Sequence, residues 1–412
     1  MGIILDSDKL HALEFSMTIG CKLNCKYCPQ DKLLGEYSKA NNHTKYVFEF
    51  EDFKKCLDKV QPGAEISFCG MSEPFHNKQC ADMVRYAYEK GFKISLLTTL
   101  IGMTRNDFEK IKDVEFDSFV LHIPDKENNS KFIIDQDYLE LLKLVNENIK
   151  IDYYSCHGTV NEEVTDIIDK EKYAGIALGD RAGNLDIDGF NKIKREGKII
   201  CFHGSEAQVG GWAPVVLPDG TLILCCQDYG MDHVLGNLIE QSWSEIREGD
   251  EYQKFVRGMN DDTIPILCRS CGDARNIENL PSMKLKKLID EKKKVATLKQ
   301  EESSSGDLIS KLAKAKNICI FGMGKLFRDH CIKYYWHEAL NVSCFSDNNP
   351  NFWGESVNGI KVVSPNELLE YEDLLIITFM KNDKEVVLQL EKMGIKNCLK
   401  AETLFKFFSK RG

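Results

Sequence analysis

From Leu13 to about Leu178, short apolar, β-branched or aromatic runs alternate with amphipathic stretches, the pattern of βα units closing around a mostly parallel sheet. The runs predict six strands, at Leu13–Ile19, Ala64–Cys69, Phe92–Thr98, Phe116–Ile123, Ile149–Ser155 and Ala174–Leu178. Helices are predicted between them at Glu51–Val60, Asn77–Lys90, Asn106–Lys112 and Gln136–Asn146. In the second of these, Met83, Tyr86 and Ala87 recur at helical spacing. Right-handed crossovers would make these units an open (β/α)6 barrel or a strongly curved sheet.

Beyond Leu178 the pattern changes to short strands punctuated by Cys, Gly and Pro. Val215–Cys226 reads as a hairpin around Pro218-Asp219-Gly220, followed by helices near Ser242–Arg247 and Glu251–Met259. Lys284–Gly306 reads as a charged helical linker ending in a Ser-Gly cluster. From Asn317, a strand, a Gly turn and a helix are followed by strands in VSCFSDNN and DLLIITF and a helix near Lys384–Met393, the pattern of a small doubly wound α/β fold. The expected division is an open barrel at 1–183, a small α+β module at 184–283, a linker at 284–316 and a doubly wound domain at 317–412.

Composition narrows the function classes. Lys+Arg 54 against Asp+Glu 64 gives a net charge of −10, and basic residues crowd only at Lys286–Lys287 and Lys292–Lys294, which disfavours a general nucleic-acid binder. No run approaches the ~18–20 apolar residues that span a bilayer. The opening MGIILDSDKLHALEF has no basic segment leading into an apolar one, so a cytoplasmic protein without a membrane partner is expected. In such a setting 16 cysteines point to metal ligands or catalytic thiols rather than disulfides.

Their spacing is informative. GCKLNCKYCPQ places Cys21, Cys25 and Cys28 at C-x3-C-x2-C directly after the first predicted strand. Three thiolates on one tight loop suit three irons of a [4Fe–4S] cube and leave the fourth iron open to an exogenous chelator. The alternative is a zinc knuckle, which needs a fourth Cys or His at similarly short spacing, and none occurs. Cys201, Cys225, Cys268 and Cys271 form a second set, closed by the C-x2-C of ILCRSC; it suits a cluster pinning a hairpin to a later loop, with structural zinc as the alternative. Neighbours on a strand face opposite sides, so only one of Cys225 and Cys226 serves that site, and Cys225 is the choice.

On the cysteine triplet and on CGMSEP (Cys69–Pro74), about the first 180 residues resemble the radical S-adenosylmethionine (SAM) superfamily, whose members carry this triplet in a (β/α)6 partial TIM barrel. The resemblance implies that SAM chelates the open iron and is cleaved reductively to a 5′-deoxyadenosyl radical that takes a hydrogen atom from substrate. It places Tyr27 beside the adenine and sets Gly70 and Glu73 at the family's Gly-Gly-Glu-Pro segment, which receives the methionyl amino group; Met71-Ser72 stand where its second glycine would be. Thr98, Thr99 and either Ser118 or His122 fall where ribose and carboxylate contacts are made. The stretch from Cys201 to about Cys271 resembles the SPASM/twitch module of such enzymes, and its few cysteines fit the twitch type, with one auxiliary [4Fe–4S] cluster. Asn317–Lys400 resembles small Rossmann-like domains of sugar-modifying enzymes, such as the N-terminal domain of nucleotide-sugar acyltransferases. Gly322 and Gly324 follow a strand there, but Phe327 holds the third fingerprint position. Asp347 is placed to reach a ribose hydroxyl, the alternative being a domain that only packs or dimerises.

The function these features imply is a radical SAM oxidoreductase that oxidises an alcohol of a carbohydrate or nucleotide-linked sugar, with an external electron donor such as flavodoxin or ferredoxin. Arg181, just past the sixth strand, is a candidate to hold substrate, against a surface ion pair. Cys69 and Cys156 end strands and are candidate hydrogen-atom donors, against small buried hydrophobes. His157, Asp152, Asp117 and Asp125 are candidate bases. The rival functions are peptide or protein maturation and sugar epimerisation with a Cys donor.

Overall fold

The computed structural model describes residues 10–40, 45–175, 179–186, 194–202, 213–299, 308–324 and 326–409. Two compact units divide the chain: Ser7–Arg195 with Trp212–Ala274, and Arg275–Gly412 with Met1–Asp6 and Glu196–Gly211.

The first unit is built on six parallel strands adjacent in chain order: β1 (Leu10–Phe15), β2 (Val60–Phe68), β3 (Lys93–Thr98), β4 (Phe116–His122), β5 (Tyr153–Cys156) and β6 (Tyr173–Gly175). Each crossover moves one strand onward, the winding from which α/β barrels are made. The sixth predicted strand extends to Leu178; its residues 176–178 lie outside the described residues. The first strand ends earlier than predicted, at Phe15, because Ser16 and Thr18 leave the ladder: Ser16 Oγ donates to the Thr18 carbonyl and Thr18 bridges to Val47.

Five helices cover this sheet: α1 (Gln30–Ala40), α2 (Phe50–Leu57), α3 (Cys80–Glu89), α4 (Arg105–Ile111) and α5 (Gln136–Asn148). α3 turns Cys80, Ala81, Met83, Val84 and Ala87 inward, the predicted stripe. α4 opens with a capping box, Thr104 and Asp107 each satisfying the other's backbone N–H. α1 was not predicted; Leu33 and Tyr37, one turn apart, bury it directly behind the cysteine loop. On the helix-facing side, Phe15, Phe48, Phe53 and Phe68 pack edge and face, with Phe15 and Phe53 centroids 4.7 Å apart.

The hairpin of Val215–Val216 and Thr221–Ile223 is formed as predicted, with a third strand at Val234–Asn237. Val215–Val216 pairs in parallel with β1, so these three strands extend the barrel sheet across the boundary expected at 183/184. The helices Trp243–Glu248 and Asp250–Asn260 follow.

In the second unit, a six-stranded sheet runs in the order Ser356–Val357, Ile360–Val363, Cys344–Ser346, Asn317–Phe321, Leu374–Thr378, Cys398–Lys400. Every neighbouring pair is parallel except the first. The order reverses at Asn317–Phe321, leaving a switch point between its end and that of Leu374–Thr378. Phe327 is buried against Phe345 at 4.9 Å, which explains why no glycine stands there. The charged segment is helical over Pro281–Lys299.

Candidate functional site

Cys21, Cys25 and Cys28 lie on the loop between β1 and α1, at the carboxyl ends of the parallel strands, each half-buried and a free thiol. The loop is docked by backbone bonds to the one after β4: the Lys26 N–H donates to the Asn129 carbonyl, and the Lys131 N–H to Leu23, each at 2.8 Å. Burial pushes the Cys21 thiol up to about 11 and raises that of Cys25, partly offset by hydrogen bonds from the Leu23 and Glu73 backbone to the former and from Ser130 and Tyr27 to the latter. Among the described residues no three His, Cys, Asp or Glu side chains converge as ligands of a single ion do. Three thiols on successive turns of one loop fit instead a cluster that takes one thiolate on each iron.

The Gly70–Pro74 segment is tied to this loop. The Gln30 amide, two residues past Cys28, donates to the Met71 carbonyl; the Met71 N–H reaches Ser16 Oγ at 3.4 Å and the Thr18 N–H reaches Ser72 Oγ at 3.2 Å. Gly70 has φ +56°, and a Cβ there would stand 2.7 Å from the Ser16 Cα, so this approach of β2's end to β1 requires glycine. Glu73 is buried and accepts from Thr98 Oγ1 (2.6 Å), Thr99 Oγ1 (2.6 Å), the Thr99 N–H (2.7 Å) and the Phe75 N–H (3.2 Å). Burial raises its pKa overall despite these donors. Thr98, expected at a ribose or carboxylate contact, has its hydroxyl committed instead to Glu73 and to the Leu100 N–H.

Tyr27 is buried, its hydroxyl bonded to Ser130 and, at 2.6 Å, to His122 Nε2, with its ring 3.8 Å from that of His157. His122 Nδ1 pairs with Ser155 Oγ at 3.0 Å. Burial, with help from His157 and Arg181, lowers the His122 pKa to about 4, so the ring is neutral near pH 7. Of the two β4 candidates, His122 therefore sits at the site. Ser118 lies four residues earlier on the same strand, about 13 Å down the sheet at ~3.3 Å per residue, and the structure does not bring it to this cluster.

Strand parity separates the two cysteine candidates. Tyr154 bonds to Asn146 of α5, so Cys156, two residues on, shares the helix-facing side and is buried away from Ser155 and His122. This corrects the expectation of Cys156 as a group facing substrate. Cys69 follows Glu65 and Ser67 on the opposite, interior face, where Ser95 Oγ donates to Glu65 at 2.7 Å and Ser67 Oγ at 3.4 Å. Burial and the neighbouring Glu14 push the Cys69 thiol well up.

Arg181 has φ +50° and its Nε donates to the Tyr27 carbonyl at 3.5 Å. Burial disfavours its charge, but the surrounding Tyr229, Cys226, Cys28 and Tyr27 raise its pKa overall, so it stands beside the cysteine loop rather than as a surface ion pair.

The second cysteine set is assembled by residues that sequence reasoning missed. The Leu267 N–H donates to His233 Nε2 at 2.9 Å, which puts the ring proton on Nδ1, 2.5 Å from Glu251 Oε1. His233 thus clamps the hairpin that carries Cys225 to the turn that carries Cys268 and Cys271. In that turn the Cys271 N–H bonds to the Cys268 carbonyl at 3.3 Å, and the Asp273 N–H donates to Cys271 Sγ at 3.4 Å, a contact that suits a thiolate ligand. Cys226 packs with Tyr229, Cys28, Met71 and Ile223, on the side of the first loop. Cys201 ends the strand Ile199–Cys201 in the other unit. The only sequence signal for His233 was its place inside the cysteine-rich segment.

In the second unit Asp347 Oδ2 accepts from the Met323 N–H at 2.7 Å and Oδ1 from the Asn349 N–H at 2.8 Å, so its carboxylate braces the Gly322–Gly324 turn. No described helix is long and apolar enough to cross a membrane.

Residues 209–272 match the SPASM family, an iron–sulfur cluster-binding domain, and residues 314–398 match the C2185-like N-terminal family. No curated protein matches the chain. Distant likenesses occur among solved structures: BtrN in complex with AdoMet and 2-DOIA (16% identity, 65% of this chain and 94% of that one, TM-score 0.41), Streptococcus suis SuiB bound to precursor peptide SuiA (15%, 64% and 70%, 0.44), and anSMEcpe with bound AdoMet (14%, 64% and 83%, 0.41). At these scores they carry no argument. The match over residues 209–272 gives this chain an iron–sulfur cluster-binding domain of the SPASM family, downstream of the C-x3-C-x2-C loop.

Proposed function

We propose that Cys21, Cys25 and Cys28 hold a [4Fe–4S] cube whose open iron takes SAM, that Cys225, Cys268 and Cys271 serve one auxiliary cluster, and that the protein oxidises an alcohol of a carbohydrate or nucleotide-linked sugar. Cube and SAM, when bound, supply reductive C–S cleavage and with it a hydrogen-abstracting radical. The chain's own residues do the rest. Glu73, held rigid by Thr98 and Thr99, orients the methionyl end; Gly70 permits close backbone approach; Tyr27 is fixed by His122 and Ser130.

The observation that carries the substrate reading is the interior face of the first sheet, where Glu14, Glu65, Ser67 and Ser95 offer carboxylates and hydroxyls suited to a polyhydroxylated molecule. Glu14 Oε is the group proposed to take the hydroxyl proton; the hydrogen atom goes to the SAM-derived radical, and the auxiliary cluster, when bound, would accept the remaining electron. The second unit, read as Rossmann-like from its strand order, is proposed to bind a nucleotide in its own right. One observation favours epimerisation as a second reading: Cys69, unlike Cys156, lies on that interior face.

The test is anaerobic incubation of the reconstituted enzyme with SAM, dithionite and panels of nucleotide sugars, free sugars and peptides, in D2O. Keto product with 5′-deoxyadenosine supports oxidation. Solvent deuterium at a carbon of an inverted sugar selects epimerisation, and turnover of peptides alone refutes the sugar reading.

A further inference from the structure

Tyr229 has no part in the chemistry above, yet it reaches the first cysteine loop. Its phenol oxygen lies 3.4 Å from Cys28 Sγ. The ring is buried in a cluster with Ile19, Leu33, Met71 and Leu217, against which Cys28 also packs. The residue comes from the matched iron–sulfur domain, four positions after Cys225. Its loop is fixed from behind: the fully buried Asp228 accepts from the Asp232 N–H at 2.8 Å and the His233 N–H at 3.0 Å, and its own N–H donates to the Cys225 carbonyl at 3.0 Å. The phenol is therefore aimed at the sulfur by the same short loop that bears a ligand of the second site.

Chemistry sets the direction of this contact. A thiolate bound to iron has no proton to give, so the phenol is the donor. A donor on a ligand sulfur draws electron density from it and favours the more negative, reduced state of the cluster. We propose that Tyr229, carried by the iron–sulfur domain, raises the reduction potential of the cluster on Cys21, Cys25 and Cys28 by donating a hydrogen bond to Cys28. The inference rests on the cluster assignment made above. It makes the second cysteine site an outer-sphere tuner of the first, so that correct folding of the Cys225–His233 loop sets how readily the open cluster is reduced.

The experiment is a redox titration of the holoenzyme followed by electron paramagnetic resonance, reading the signal that changes on SAM addition so that the auxiliary cluster is not counted. Tyr229→Phe keeps the ring and removes the donor. The expected result is a ratio of reduced to oxidised cluster about tenfold lower at a fixed poise, equivalent to ~59 mV for one electron, with iron and sulfide content unchanged. An unchanged potential overturns the proposal. Should the variant lose its cluster, the wild-type enzyme decides: after brief exchange into D2O, too short for buried amides, the SAM-responsive signal carries an exchangeable deuteron coupling, and its absence overturns the proposal. If the wild type forms no SAM-responsive cluster, the underlying cluster assignment falls, and this inference with it.

Discussion

The chain builds two parallel sheets from the same βα pattern but distributes polar groups over them differently. In the second unit the central strands are buried on both faces: Ile318 to Phe321 and Leu374 to Thr378 all lie inside. Chemistry is then left only to strand ends, where Asp347 braces the glycine turn and Thr378 donates to Asp383 at 2.9 Å. In the first unit one face carries Phe15, Phe68, Leu96 and Tyr154 toward helices, while the other carries Glu14, Glu65, Ser67, Ser95, His122 and Ser155. Buried polar groups cost stability unless they are paired. The first sheet keeps a whole row of them on one face, paired through Ser95–Glu65 and Ser155–His122.

The contrast predicts where damage should appear. Cys25→Ala, in the loop at the mouth of the first sheet, is expected to abolish 5′-deoxyadenosine formation, a loss of more than about a thousandfold, read by chromatography after dithionite reduction. Ile377→Ala, in the doubly covered sheet, should cost ~2–5 kcal/mol by leaving a cavity, seen as a lower urea midpoint for that unit, while SAM cleavage continues. Loss of cleavage in this variant would break the division between a chemical and a packing sheet.

A pair of variants sharpens the reading of the first sheet's two faces. Cys69→Ala, on the interior side, should lower turnover about tenfold, whereas Cys156→Ala, on the helix side, should leave turnover within a factor of about two and cost only ~1 kcal/mol of stability. Equal kinetic losses would show the parity assignment to be wrong. A pH dependence is expected as well. His122 titrates near 4 folded, against an ordinary value of 6.5, so the unfolded chain binds the extra proton in that window. Its contribution is fully present above about pH 6.5 and is lost as the pH falls toward 4. His122→Asn should flatten stability over that interval in denaturant titrations.

Much of this architecture is legible in the sequence because burial imposes periodicity. The apolar, β-branched and aromatic runs locate the six parallel barrel strands of the first sheet, and the cysteine spacing locates the first loop before any coordinates are known. What escapes is depth and sidedness. Ser118 and His122 are both polar residues of one strand face, and only the strand's actual extent puts His122 at the mouth. Cys156 ends a strand as Cys69 follows one, and only the Tyr154–Asn146 bond fixes which way it faces. His233 was illegible because its partners, Glu251 and Leu267, are 18 and 34 residues away, so nothing local marks it. Tyr229 reaches Cys28 across 201 residues and was missed for the same reason.

The central claim is that one loop of three cysteines holds an open iron–sulfur cube that cleaves SAM, beside a second cluster held by the following domain. Anaerobic reconstitution with iron and sulfide analysis, coupled to a dithionite-driven SAM cleavage assay, tests it most directly. About eight irons and eight sulfides per chain, with 5′-deoxyadenosine released, is the predicted result; bound zinc, or four irons without cleavage, would contradict it.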